Sequence, residues 1–231
     1  MRKNMNSLVA VFALILATLI PAQSFGAPIS SPGKTAGNGP CVTSGSDNSQ
    51  IQSTKNTMKT CYSVGETGPG GGIVIFYSQT AFAEPGAGCR SSCHYLEAAP
   101  TTGPAAWEFP AAPWSGITDT SSGATGSAIG TGYRNTTLMI SQSGAGSTGA
   151  ASLAKAYRGP NNKSDWFLPS KEELNLLYLN AAIVGGIGAD YLWSSTESDG
   201  STAWVQGFGD GVGGNFQKFT LWKSPPPVRA F

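Results

Sequence analysis

Few side chains in this sequence can do chemistry, and their spacing narrows what they can do. His94 is the single histidine in 231 residues. A metal site with several imidazole ligands cannot be built from it, and a serine triad would have to recruit that one ring. Ser194-Ser195-Thr196 offers hydroxyls, but inside a stretch with strand character. Glu172 and Glu173 resemble an acid/base pair. Adjacent helical positions point about 100° apart, however, and carboxylates favour a helix start through its dipole. Gly68-Pro69-Gly70-Gly71-Gly72 has the composition of a phosphate cradle. A phosphate loop follows a strand and opens a helix; this one precedes a strand and contains proline, so it reads as a turn. Asn135-Thr136-Thr137 and Asn162-Lys163-Ser164 match glycosylation acceptors and are read as chance matches. The expectation is a protein that is not an enzyme, with no catalytic residue, no metal and no cofactor.

The cysteines carry a clearer message. There are four, Cys41, Cys61, Cys89 and Cys93. An even count in an exported chain favours two disulfides. Three pairings are open, and Cys41–Cys61 with Cys89–Cys93 is preferred because it closes two local loops. The alternative, a metal held at Cys89-x-x-x-Cys93-His94, lacks a fourth ligand at a suitable spacing.

Export itself is read from the first residues. Arg2 and Lys3 precede an apolar run from Leu8 to Ile20, which Pro21 ends before the small residues Ser24, Gly26 and Ala27. That is the layout of a secretory signal over 1–26, and the run is too short to span a bilayer. Residues 27–60 are rich in Ser, Thr, Gly and Lys and read as a flexible segment. Residues 61–231 are the expected folded domain. No later stretch is apolar enough to span a membrane. The expected location is secreted or at the cell surface, with the periplasm as alternative.

Composition excludes other classes. The formal charge is +1 and only 12% of residues are charged, about half the usual share. Without a basic run there is no electrostatic footprint for nucleic acid. The 31 glycines lack the three-residue period of collagen.

These side chains need positions, and the pattern predicts short elements separated by long loops. Gly72–Tyr77 and His94–Ala99 are expected strands. Trp107 and Trp114 are expected to pin the loops of 100–150. Short helices are expected over Asn135–Gln142, capped by Asn135 or Thr136, and over Leu153–Arg158. In residues 165–180, Ser170 and Glu173 form a capping box, and Leu174, Leu177 and Tyr178 share a face. A helix over about 171–182 follows, ended by Gly185 and Gly186. Strands are expected at Tyr191–Thr196, Ala203–Phe208, Asn215–Trp222 and Val228–Phe231. Alternation puts Trp204, Gln206 and Phe208 on one face of their strand, large enough to be core. Val205, Gly207 and Gly209 occupy the other, nearly bare face.

Five ordered stretches, GETGPGGGIVIFY (65–77), AIGTGYRNT (128–136), DWFLPSKEELNLLY (165–178), YLWSSTE (191–197) and VRAF (228–231), resemble the Lcl C-terminal-like family. That bacterial family is named for the C-terminal domain of a collagen-like adhesin. The likeness covers about residues 61–231. It implies an α+β domain of C-type-lectin-like fold, in its formylglycine-generating-enzyme-like branch, with short antiparallel strands, two or three helices and long loops. It implies adhesin or receptor-like binding of a protein or glycan on another cell or surface, with residues varied by a retroelement in related receptors. Carried onto this chain, Trp193, Ala203, Trp204, Gln206, Phe208 and Gly211 would be scaffold. Val205, Gly207, Gly209, Asp210, Val212, Gly213, Phe216, Phe219 and Leu221 would face a ligand, with Trp222 as a rim aromatic. The sequence departs from the family at Pro225-Pro226-Pro227, which can donate no ladder bonds to the last strand. The formylglycine-generating activity needs paired cysteines in the C-terminal part, and none follows Cys93. The Glu-Pro-Asn and Trp-Asn-Asp tripeptides of calcium-dependent sugar binders are also absent. A structural surface protein without a specific ligand is the alternative.

Overall fold

The computed structural model describes residues 61–142 and 144–231. The expected signal (1–26), the segment 27–60 and the Cys41–Cys61 pairing lie outside the described residues. The architecture is α+β. Strands β1 (Ile73–Glu84), β2 (Arg90–Ala98) and β3 (Ala111–Ala112) come first. Helices α1 (Gly132–Ser141), α2 (Ala150–Ala156), α3 (Lys171–Leu179) and α4 (Ala181–Val184) follow. Strands β4 (Tyr191–Glu197), β5 (Thr202–Gly207), β6 (Gly213–Gln217), β7 (Trp222–Lys223) and β8 (Val228–Ala230) complete the order. They form a three-stranded sheet, β1-β2-β8, and a five-stranded sheet, β3-β7-β4-β5-β6.

The first sheet begins as an antiparallel hairpin, β1 on β2. The Cys89–Cys93 disulfide clamps the start of β2, so both sulfurs are committed to a covalent bond. The glycine stretch before β1 has a reason unrelated to phosphate. The Gly70 and Gly72 N–H groups donate to the buried Glu97 carboxylate at 2.8 and 3.0 Å. A Cβ at Gly68 would lie 2.5 Å from Glu97 Oε2, so only glycine lets the backbone approach the carboxylate that closely. Arg229 of β8 donates to Glu97 at 2.9 Å and to Asp165 at 2.6 Å. The chain thus cradles its own anion.

The three prolines leave β8 intact. Leu96 pairs with Ala230, Glu97 with Arg229 and Ala98 with Val228. Pro225–Pro227 precede the ladder, and the Pro227 carbonyl serves only as acceptor, from Ala99 N–H at 2.8 Å.

Two larger apolar clusters and a smaller one of Ala99, Trp107 and Trp166 fill the interior of the described residues. Ile75, Leu96, Phe167, Leu174, Leu177 and Leu192 form one, between the first sheet and α3. Trp114, Met139, Ala154, Leu168, Trp193 and Val205 form the other, beneath α1, α2 and the second sheet. Trp107 and Trp114 pin their loops as expected, donating to Ser224 O at 2.9 Å and Ser194 O at 2.7 Å.

Several boundaries differ from expectation for local reasons. The capping box at Ser170 and Glu173 is present. The helix it starts breaks at Asn180, whose side chain donates to Ile75 O at 3.1 Å instead of leaving the turn free. Asn135 and Thr136 cap nothing. The first helix starts earlier, after Thr131, because both side chains are needed inside: Asn135 bonds Gly126 O at 2.6 Å and Thr136 accepts from Leu168 N–H at 3.0 Å. The strand expected over Asn215–Trp222 is two strands, β6 and β7. Lys218 between them turns inward to a buried carboxylate.

Candidate ligand-binding surface

Strand β5 is covered on both faces, which decides what it can present. Its even-numbered side chains meet α3 at helical spacing. The Lys171 ammonium lies 3.8 Å from the Trp204 ring centre. Gln206 donates to Asn175 at 3.0 Å, and Phe208 meets Tyr178 edge-on at 5.5 Å. Positions 171, 175 and 178 form one helical stripe, laid along alternate residues of a strand. Trp204 and Phe208 are half-buried and Gln206 is buried, packed against α3. Trp193 is wholly buried and donates to Ala112 O at 3.0 Å.

The opposite face corrects the expectation for Val205. Val205 pairs with Trp193 and is 0% exposed, inside the second cluster. It reaches no ligand. Gly207 is buried too: a Cβ there would lie 2.8 Å from Asp210 Oδ1 and 3.2 Å from Tyr191. The face is bare in β5 itself because aromatic rings from neighbouring strands fill it. Alternation within one strand could not show that. Gly213 lies beneath the Trp204 ring, on the helix side.

Several of the remaining expected contact residues are exposed. Val212 is 59% exposed, Phe216 36%, Phe219 63% and Leu221 66%. Gly209 and Asp210 are also exposed, and Trp222 is half-buried. Strand alternation puts Val212, Gly214 and Phe216 on one face of β6. On that face Phe216, Tyr191 and Trp222 form a ring-on-ring cluster. Their centroids are 5.9 Å apart for Tyr191–Phe216, 5.2 Å for Tyr191–Trp222 and 5.5 Å for Phe216–Trp222. The Trp222 indole N–H is out of solvent and meets no hydrogen-bond partner. Sequence reasoning missed Tyr191 as a member of this cluster; it shares strand parity with the core residue Trp193, which pointed inward.

Several polar groups around this patch are occupied. Asp210 accepts from Val212 N–H at 3.0 Å. Lys223 and Asp190 pair at 2.7 Å, both about half exposed. Ser198 donates to Asn215 at 2.6 Å. Lys218 is wholly buried against Glu197 at 2.5 Å and also donates to Gly200 O at 2.8 Å. Burial opposes the Glu197 charge. The Lys218 ammonium and the Ser122 N–H and Ser121 hydroxyl together outweigh that, so the carboxyl sits below its ordinary range.

The residues weighed for catalysis do not converge. His94 Nδ1 meets Ser78 O at 2.8 Å, while Ser194 and Ser195 are wholly buried in β4. Glu173 is locked in its cap, accepting from Ser170 and Gly130 N–H groups at 2.8 Å each. Beside it lies Glu84, also wholly buried. Burial first, then the neighbouring Glu173 carboxylate, raises the Glu84 pKa; burial raises that of Glu173 as well. Among the described residues, no group of three or more His, Cys, Asp or Glu side chains is placed to hold a metal ion. No described helix is long and apolar enough to cross a membrane.

No family model matches the chain, and no curated protein matches it.

Proposed function

We propose that residues 61–231 form an exported C-type-lectin-like domain of the Lcl C-terminal-like kind, which binds a ligand non-covalently through the aromatic surface of β6 and the β6–β7 turn. The observation that carries this reading is the ring cluster of exposed Phe216 with half-buried Tyr191 and Trp222, in a stretch of chain where Val212, Phe219 and Leu221 are also exposed. Contiguous exposed apolar area of this kind marks an interaction site, and aromatic rings are the usual anchors of binding energy. A purely structural role without a ligand leaves that exposure without a purpose. The fold reading is supported by where the five resemblance stretches fall. They supply the Glu97 cradle, the α1 start, the α3 cap, the buried Trp193 strand and the closing β8.

Two separate measurements test the binding reading. Phe216→Ser, Asp210→Lys and Phe219→Ser should weaken binding to an identified ligand while melting stays within a few degrees. Unaltered binding in all three folded variants overturns the site. Affinity should also fall little between low and high salt, because the charges nearby are paired within the protein. Variation by a retroelement is tested in the neighbouring DNA, where a reverse transcriptase gene and a near-copy of the 3′ coding end are expected.

A further inference from the structure

The ligand-binding reading says where contact occurs; the backbone of β6 says with what. This strand is the outer edge of the five-stranded sheet. Its ladder with β5 is fixed by two bonds, Gly207 N–H to Val212 O at 2.8 Å and Lys218 N–H to Ser201 O at 2.9 Å. Antiparallel ladders alternate between hydrogen-bonded and open pairs. With those two bonds fixed, Gly214 and Phe216 face β5, and the backbone groups of Gly213, Asn215 and Gln217 face outward. The Gln217 carbonyl accepts from Thr220 N–H at 2.9 Å. For Gly213 and Asn215, no backbone bond on the outward side is present among the described residues.

Natural sheets usually guard such an edge with lysine, proline or an inward-pointing charge. The sequence Gly213-Gly214-Asn215-Phe216-Gln217 has none of these. The charged side chains nearby are already engaged, Asp210 with Val212 N–H and Lys223 with Asp190, and Ser198 donates to Asn215. What remains unpaired is a row of main-chain donors and acceptors beside an apolar face. That is the complement of an extended polypeptide. The partner should carry no net charge over this stretch, matching a strand without ionisable groups. Its alternate side chains should be apolar, to lie on Phe216 and Trp222.

We infer that the ligand of this surface is an extended, uncharged polypeptide segment that adds to β6 as a sixth strand of the sheet. The inference rests on the ligand-binding reading of the same surface and names its partner class.

The test uses the protein expressed with its disulfides intact and two probe sets. One is an array of capped, neutral octapeptides with alternating apolar and polar residues; the other is an array of glycans. A peptide from the array is expected to bind. N-methylation of one alternate set of its amides should weaken binding at least tenfold, and N-methylation of the other set should have little effect. The bound peptide should slow amide exchange at Asn215 and Gln217 at least tenfold, with Gly214 and Phe216 little changed. Asn215→Pro removes an outward N–H at an edge, where proline is tolerated. It should abolish peptide binding with melting retained, and Asn215→Ala should keep binding. If Asn215→Pro fails to fold, the N-methylated peptides still decide.

The inference is overturned if no peptide binds, if a peptide binds regardless of which amides are methylated, or if the protein is a dimer that Asn215→Pro dissolves, which gives the edge to a second copy. Glycan binding that is lost in Phe216→Ser would overturn the strand-addition inference alone and leave the ligand surface standing.

Discussion

Val205 and Phe216 mark the two kinds of residue found in the last third of the chain, and stability separates them. Val205→Ala removes two methyl groups from a fully buried site beside Trp193, a loss of about 2 kcal/mol once the residual cavity is included. Phe219→Ser and Leu221→Ser act on side chains that are mostly in water and should stay within about 0.5 kcal/mol. Denaturant titration of the three variants checks the order; equal shifts would mean that the faces are misassigned. A second residue-scale prediction concerns Glu84. Its pKa is raised to about 10 by burial and by the Glu173 carboxylate, so the folded state holds a proton that the unfolded chain releases in the ordinary carboxylate range. That proton's stabilisation is complete below the ordinary range and is lost progressively as pH rises toward 10. Glu84→Gln keeps a neutral donor beside Glu173. It should match the parent near pH 4 and melt increasingly higher than it from pH 6 to pH 9. A pH-independent difference would exclude the shared proton. None of this was legible in the sequence. Glu84 and Glu173 are 89 positions apart; Glu84 lay beyond the strand expected at Gly72–Tyr77 and Glu173 read as a helix cap, and only the fold brings them together.

Elements were legible where the signal is local. The capping box fixed the start of α3, and the β-branched and aromatic run Ile73–Tyr77 marked β1, because hydrogen bonding and side-chain alternation act within a few residues. The turn between β6 and β7 was not. A continuous strand over Asn215–Trp222 satisfies the alternation, and nothing local says that Lys218 turns inward to Glu197. The same limit applies to the binding surface. Val212, Phe216, Phe219 and Leu221 were legible as apolar residues in a glycine-rich stretch, whereas the burial of Val205 depends on Trp193 in a neighbouring strand. The turn yields its own prediction. Lys218→Met leaves the Glu197 carboxylate buried without its cation, and breaking such a pair from one side costs about 3–5 kcal/mol. Lys218→Met with Glu197→Gln should recover much of that loss. Chemical unfolding of the single and double variants is the measurement, and an additive double variant would show that the two side chains are not coupled.

At the scale of the whole molecule, Arg229 ties together parts of the chain that are far apart in sequence. It sits in β8, donates to Glu97 of β2 and to Asp165 before α3, and through Glu97 reaches the Gly70 and Gly72 N–H groups ahead of β1. β8 also bridges to Phe167, the residue that carries the first cluster toward α3. Burial raises the Glu97 pKa, and the Arg229 guanidinium works against that rise. Arg229→Met therefore leaves a buried carboxylate facing only glycine N–H groups. The expected loss at pH 7 is about 3 kcal/mol, which lowers the melting temperature of a domain of this size by roughly 6–12 °C. The deficit should depend on pH in a definite direction. Without its cation, Glu97 in the folded variant takes up a proton more readily than in the unfolded chain. Stability is then regained as pH falls toward the ordinary carboxylate range and lost as it rises. The gap between variant and parent should narrow from pH 7 to pH 4. Adding Glu97→Gln to Arg229→Met should flatten that pH dependence, because nothing in the cradle is then left to titrate. A gap that is constant with pH would mean that Arg229 holds the three segments together by packing of its stem alone.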